Sequence, residues 1–414
     1  MNPFLEKPMN MDQLFKSWAA IYPEPYNKNE VDPYTKTRII LMNGTEFEAV
    51  WFSHQFSRHC PDNELRRQIA VTRRSEQQQQ KVIAVLKPAD ETILETTISY
   101  EQLAVDLTAR LAMREPNKHV KMALDFALLE DFDHLYRYSD LLEMERGIKA
   151  EKLVGHYTEI MPGRPTIAEH RYPTDNIREF VDFSTAAPIT KLNTCIITAA
   201  EQQTMNYYMN VAGFYESDIG RSLYQEIGLI EEQHVSHYGS LIDPRQTWLE
   251  NLLNHEYTEC YLYYSCFEDE TDPHIKKIWE QHFHEEVAHL HKAAELLKKY
   301  EGKEWQQVIP DGNFPQLLTL GENKEYVRKV LGETVQLTSI KDEYTDVAKV
   351  PAESEFFTFQ NIVNKDVECV PSHKIISQYI CKNGMDYRYE DKENPIEALR
   401  DRKCDNTSVG RRPI

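Results

Sequence analysis

Along most of the chain the apolar positions recur at three- and four-residue spacing, the mark of helices that bury one face. From Lys36 the pattern predicts helices near 36–59, 63–87, 95–114 and 117–145, then near 191–215, 217–242, 246–269 and 273–300. Breakers fall between them. Pro61-Asp62-Asn63, Pro88 and Pro116-Asn117 punctuate the first four, and Glu216-Ser217-Asp218, Asp243-Pro244 and Thr271-Asp272-Pro273 the second four. Asp and Ser at these points are N-cap candidates. Loops this short force antiparallel neighbours, so the expected fold class is all-α, with two tandem up-down-up-down four-helix bundles at 36–145 and 191–300. Residues 1–35 read as an irregular N-terminal arm and 146–190 as a linker with a short helix. Residues 301–414 read as an irregular C-terminal extension.

Two motifs stand out on this helical background. Glu231-Glu232-Gln233-His234 and Glu286-Val287-Ala288-His289 are the only Glu-x-x-His matches in the chain. On a helix, residues three apart share a face, so each motif points a carboxylate and an imidazole the same way. Glu201 lies 30 residues before Glu231, and Glu256 lies 30 before Glu286. The triplet Glu201, Glu231, His234 thus recurs as Glu256, Glu286, His289, each 55 residues on. This is a repeated helical hairpin. Sliding the second half back by 155 residues places Lys191 on Lys36, Glu201 on Glu46, Glu231 on Glu76, Gln233 on Gln78, Glu256 on Glu101, Glu286 on Asp131 and His289 on His134. The matches concentrate on the candidate ligands, and the chain reads as a tandem duplication. In the first copy Gln79 stands where His234 would fall and Ala104 where Glu259 would. The set Glu46, Glu76, Gln79, Glu101, Asp131, His134 is therefore expected either to bind metal weakly or to remain as a relic polar core.

A lone Glu-x-x-His is more often a solvated helix face than a ligand pair. Here the helical phase argues otherwise. Glu286 shares its face with Trp279, Phe283, Leu290 and Leu297, Glu231 with Tyr224, Ile227 and Tyr238, and Glu256 with Leu252, Leu253, Cys260 and Tyr263. Carboxylates converging in an apolar core need cations, because like charges there repel and lack solvent. Tyr208 and Tyr263 stand among them, as ligand hydrogen-bond donors or redox-active groups, or else as packed core tyrosines.

Composition narrows the setting. The net charge of −20 over 414 residues argues against nucleic acid and anionic membrane partners. No apolar run approaches the roughly 20 residues of a membrane span, and the N-terminus shows no leader-like stretch. Seven cysteines without a Cys-x-x-Cys suggest free thiols in a reducing, cytoplasmic setting.

Residues 191–300 resemble the ferritin-like superfamily of di-iron and di-manganese carboxylate proteins, which share the order Glu, Glu-x-x-His, Glu, Glu-x-x-His; residues 36–145 resemble it more weakly. The resemblance implies Glu201, Glu231, His234, Glu256, Glu286 and His289 as ligands of two iron ions, manganese being the alternative, with Glu231 and Glu286 bridging. Glu259 extends Glu256-x-x-Glu259 in a manner similar to rubrerythrin-type peroxidases, which implies a redox-linked ligand role for it. The chain lacks rubredoxin-like cysteine pairs, so it brings no second iron site for electrons. The implied function is an oxidoreductase acting on peroxide, O2 or Fe(II), with an electron donor the sequence does not identify. The alternatives are an oxygenase of an organic substrate, a catalase-like activity, and a metal-binding scaffold. Pro351, Pro371 and Pro395, with mixed charge, suggest an extended tail at 332–414 that wraps a bundle or a partner subunit, and so a homo-oligomer.

Overall fold

The computed structural model describes residues 1–164 and 169–384. Among them eight long helices dominate: α1 (Pro33–His59), α2 (Asn63–Ala84), α3 (Ile93–Arg114), α4 (Lys118–Arg146), α5 (Pro188–Phe214), α6 (Asp218–Gly239), α7 (Trp248–Asp269) and α8 (Pro273–Glu301). Their ends are written in the chain. Asp32, Asp62, Asn117, Ser217 and Asp272 each accept a first-turn N–H. Thr92 with Glu95, and Thr247 with Glu250, close capping boxes. α4 and α8 stop at Gly147 and Gly302, whose φ of 66° and 68° is the left-handed cap that a Cβ would strain. Thr92 and Thr247, Asn117 and Asp272, and Gly147 and Gly302 are all 155 residues apart, so the repeat reaches the caps.

Contacts divide the chain into two units. The first gathers Met1–Glu91, Val181–Gln203 and Ile242–Leu320. In it α1 pairs with α2 and α7 with α8, while α1 packs on α7 and α2 on α8. The second gathers Thr92–Phe180, Thr204–Leu241 and the chain from Gly321 onward. In it α3 pairs with α4, and α4 packs on α6. α5 serves the first unit through Gln203 and the second from Thr204. Each unit is a bundle-like helical packing with its own core.

These units are not the expected division at 36–145 and 191–300. The first unit joins the first hairpin to the last, and the second joins the two middle ones. The reason is physical. Helical periodicity marks which face of a hairpin is apolar, and a 155-residue repeat gives both halves equivalent faces. A hairpin therefore fits a partner from either half, as when identical elements exchange between domains. Hydrogen bonds at matching positions recur in the two units. In the first, Lys16 N–H donates to Gln78 Oε1 at 2.8 Å and Lys16 Nζ pairs with Glu285 at 2.6 Å. In the second, Arg171 N–H donates to Gln233 Oε1 at 2.9 Å and its guanidinium pairs with Glu130. His274 Nε2 lies 3.1 Å from the Glu24 carbonyl oxygen, as His119 Nε2 lies 2.9 Å from that of Glu179. Every pair in the second set is 155 residues from its counterpart, in one direction or the other.

The arm and tail are more ordered than their sequence suggests. The arm turns through short 3-10 segments at Pro3–Leu5 and Met11–Gln13, and Phe4 stacks on Trp305 with centroids 3.9 Å apart. The linker holds a single helical turn at Ala150–Leu153 and a 3-10 turn at Pro173–Asn176. The extension is not irregular as expected. It contains α9 (Lys324–Thr334), the antiparallel strands β1 (Leu337–Ile340) and β2 (Glu343–Asp346), α10 (Glu355–Val363) and α11 (Pro371–Asn383). α9 and α11 pack on α4, and α11 also on α6. Strands of four residues are too short for period-two alternation to register, and Lys341, at φ 52°, makes the turn without a glycine. The last stretch, 405–414, lies outside the described residues. Among those described, no helix is long and apolar enough to cross a membrane, and six cysteines are free.

Candidate metal centres

In the first unit α1 presents Glu46, α2 presents Glu76 and Gln79, α7 presents Glu256, Glu259 and Tyr263, and α8 presents Glu286 and His289. All are buried. Glu76, Glu256 and His289 bring one ligand atom each within 4.8 Å of one another, and so do Glu256, Glu259 and Glu286. Glu256 belongs to both groups. Glu286 accepts from Gln79 Nε2 at 2.5 Å and lies 3.1 Å from His289 Nδ1; Glu256 stands 3.9 Å from the same nitrogen. Tyr263 donates its hydroxyl to Glu46.

Charge in this pocket is poorly compensated. Burial, and then the Glu286 charge, push Glu46 and Glu259 well above the usual carboxylate range. Burial and the Glu76 charge do the same to Glu256. Burial lifts Glu76 to about 7, against the pull of His289. The ammonium of Lys16 is held by Glu285. Glu46 Oε2, Gln79 Oε1, both Glu259 oxygens and His289 Nε2 are buried without a hydrogen bond among the described residues. A donor set with idle lone pairs and crowded negative charge fits bound divalent cations.

The second unit presents Glu101 from α3, Asp131 and His134 from α4, Tyr208 from α5, and Glu231 and His234 from α6, again all buried. Glu231 is shared by the two imidazoles, 3.0 Å from His134 Nδ1 and 3.2 Å from His234 Nδ1. Asp131 lies 3.2 Å from His234 Nδ1. Glu101, His134 and Glu231 form one ligand-sized group. The far nitrogen of each ring also meets a carboxylate: His234 Nε2 stands 2.7 Å from Glu130 and His134 Nε2 stands 3.7 Å from Glu169. Arg171 and Arg164 back Glu130.

Compensation here is uneven: burial lifts Glu101 well above and Asp131 above the usual carboxylate range, while other groups are held by ion pairs. Burial works to raise Glu231, and its bonds to His134 and His234 overcome it and hold the carboxyl down at about 2. Burial works against Glu130 too, and Arg171, His234 and Arg164 keep it ionised far below the usual range. Burial opposes charge on His134, yet Glu169 and Glu231 hold it protonated well above its ordinary value. Tyr208 donates to Glu101 at 2.5 Å.

The ligand set expected within 191–300 is therefore divided. Glu231 and His234 lie in the second unit, and Glu256, Glu286 and His289 in the first. Glu201 is buried on α5, just before the chain passes from the first unit to the second. The set expected to be degenerate is divided as well, so each pocket draws on both halves of the chain. In the first pocket the carboxylate common to both groups is Glu256 rather than Glu286. His282, one turn before Glu286, is buried edge-on to Tyr263 with centroids 5.3 Å apart, while His284 is exposed. His237 receives a contact from the Tyr344 hydroxyl at 3.0 Å. Glu130, Glu169, Arg164, Arg171, Lys16 and Glu285 were beyond reach of the motif. The match of Gln233 to Gln78 was the one signal, since these amides anchor the arm segments that carry Arg171 and Lys16. The chain matches no family model, no curated protein and no solved structure.

Proposed function

We propose that the chain is a ferritin-like di-metal carboxylate protein, built from two four-helix bundles with exchanged hairpins, that acts as an oxidoreductase on peroxide, O2 or Fe(II). One observation carries the reading. In the second unit two buried imidazoles turn Nδ1 toward one shared carboxylate, Glu231, while Glu130 holds the opposite nitrogen of His234 at 2.7 Å and Glu169 lies 3.7 Å from that of His134. Metal-ligating histidines are oriented in this way. Glu101, Asp131, His134, Glu231 and His234 would hold a pair of iron ions, or manganese, since mixed oxygen and nitrogen donors accept both. Bound there, such a pair supplies two-electron chemistry toward peroxide or O2.

The remaining work falls to the chain. Glu130 fixes the ring of His234, and Arg171 with Arg164 keeps Glu130 ionised. Tyr208 pins one oxygen of Glu101. The burial of the pocket excludes bulk water and strengthens each of these interactions. The first unit offers a harder donor set. Gln79 replaces an imidazole, and Glu259 adds a carboxylate where the second unit has Ala104. Glu46, Glu76, Glu256, Glu259, Glu286 and His289 would favour manganese over iron there.

The test is metal content by elemental analysis after loading with Fe(II) or Mn(II). Wild type is expected to hold about four ions per chain, and Glu231→Ala/His234→Ala and Glu256→Ala/Glu286→Ala about two each. Peroxide reduction or Fe(II) oxidation is expected to vanish in the first variant. A wild-type chain that retains no iron or manganese overturns the reading. A scaffold reading has one observation in its favour, the ion-paired charges of Glu130, His134 and Glu231 in the second unit. It requires that loss of metal melt the protein while leaving no turnover to lose.

A further inference from the structure

The outer face of the α1–α2 hairpin in the first unit is basic. α1 contributes Arg58, and α2 contributes Arg66, Arg67, Arg73 and Arg74. Residues seven apart on a helix share a stripe, so Arg66 lines up with Arg73 and Arg67 with Arg74. Arg73 reaches across the hairpin to the Ser57 hydroxyl at 3.0 Å, which sets its stripe against α1. On α1, Arg58 shares a stripe with Trp51, which is 49% exposed. His54 lies one turn from each. Burial, then the charges of Arg73 and Arg58, hold its ring below the ordinary value. The two helices thus carry one positive field.

These charges are spare. Arg67 pairs with Glu64 at 3.3 Å, but Arg58, Arg66, Arg73 and Arg74 have no ion pair among the described residues. The chain does not lack carboxylates to pair with them, since it has 67 acidic residues against 47 basic ones. Nor does the fold call for them. The repeat copy of this hairpin, formed in the second unit by the end of α5 and by α6, has Gly213, Ser222, Gly228 and Leu229 at four of the five positions and keeps only Arg221. Asn206 stands there where Trp51 does here. Like charges side by side on a helix face are destabilising, and a bound anionic partner removes that penalty.

We propose that this face is a docking surface for a short segment of a partner protein rich in Asp and Glu. Arginine suits that ligand, because its planar fork takes a carboxylate through two parallel N–H donors. Arginine and tryptophan are also the residue types that dominate binding energy at protein interfaces. Arg66 to Arg74 spans roughly 12 Å along α2, and the hairpin is roughly 20 Å across. About six residues of extended chain cross that footprint. A nucleic-acid duplex or an anionic bilayer would run past it, onto a chain whose net charge is −20 even with these arginines. The docked segment lies on the outside of α2, whose inner face presents Glu76 and Gln79, and its binding needs no metal there.

The probe is fluorescein-labelled hexaglutamate, titrated with full-length protein in the presence of a chelator and followed by fluorescence anisotropy. Wild type is expected to bind it at about 10 mM salt and to release it at about 1 M, as the screening length falls from about 30 Å to about 3 Å. Arg58→Glu/Arg74→Glu is expected to weaken binding by about tenfold. Both arginines are exposed, so the exchange leaves the core intact, and circular dichroism verifies the fold. Arg221→Glu, in the second unit, is expected to bind like wild type. A DNA duplex longer than the patch and phosphatidylserine vesicles are expected to stay unbound. No binding of the peptide at low salt overturns the docking surface. So does binding that survives the double reversal, that Arg221→Glu weakens equally, or that the duplex or the vesicles match. Every arm is metal-free, so this surface and the metal centres stand or fall separately.

Discussion

Glu76 makes the metal-free first unit weaker as pH rises. Its folded-state carboxyl is lifted by burial from 4.5 to about 7. The folded chain therefore binds this proton more tightly than the unfolded chain does. The sign follows: the associated stability is complete below about pH 4.5 and is lost as pH climbs through about 7. At about 1.4 kcal/mol per pH unit, the displacement corresponds to about 3 kcal/mol. Glu76→Gln keeps the shape and removes the ionisation. In the presence of a chelator the variant is expected to match wild type near pH 5 and to exceed it by about 3 kcal/mol near pH 8. The assay is urea denaturation followed by tryptophan fluorescence. Trp18, Trp51, Trp248, Trp279 and Trp305 all lie in the first unit, so the signal reports on that unit alone. With a urea dependence of about 2 kcal/mol per molar, the gain appears as a midpoint raised by about 1.5 M. Saturating Mn(II) should then narrow the gap, because it stabilises wild type by about 2.7 kcal/mol at a hundredfold excess over Kd and the variant less. The reasoning fails if metal-free wild type is as stable at pH 8 as at pH 5.5, or if Glu76→Gln is the weaker protein at pH 8.

Two further outcomes follow from the paired groups behind the pockets. Lys16 and Glu285 are almost inaccessible, with side chains 7% and 4% exposed. Lys16→Met should cost the first unit about 3–5 kcal/mol by the same fluorescence assay, while Lys16→Met/Glu285→Gln should recover most of it. A double variant as weak as the single one would show that the cost is not the stranded carboxylate. In the second unit, Glu130→Gln leaves the ligands in place and weakens the grip on His234. Metal affinity there should drop about 10- to 100-fold with helix content unchanged, read by competition with a chelating dye.

The helices were plain in the sequence because each announces its face by periodicity and its ends by a capping residue. α1 through α8 fall within a few residues of the expected spans. The candidate ligands were plain for a related reason. Glu46, Glu76, Glu101, Asp131 and His134 repeat their counterparts at a fixed offset that solvated glutamates have no cause to keep. What could not be read was which hairpin meets which. Equivalent faces carry no address, and the exchange turns one apparently complete set and one degenerate set into two mixed ones. Glu259 gains its importance from this, since it enters the pocket where Gln79 has displaced an imidazole. Glu130 and Arg171 were hidden because a charged residue beside a motif reads as surface until its burial is known. The β1–β2 ribbon was hidden because four residues hold too little pattern.

The exchanged hairpins also set an order of assembly. α1 and α2 leave the ribosome early, yet the helices that complete their core, α7 and α8, end only at Glu301. At roughly 10 residues per second, α8 emerges about 20 seconds after α2. During that interval α3 to α6 are all made, so the long helices of the second unit can pack on one another first. The first hairpin meanwhile waits with its apolar face and its carboxylates uncovered, and its closure carries the loop entropy of joining distant segments. A nascent chain halted after Gly239 therefore carries an orphan hairpin alongside the long helices α3 to α6, with α9 to α11 of the second unit still to be made. That hairpin is the part of this protein most in need of a chaperone.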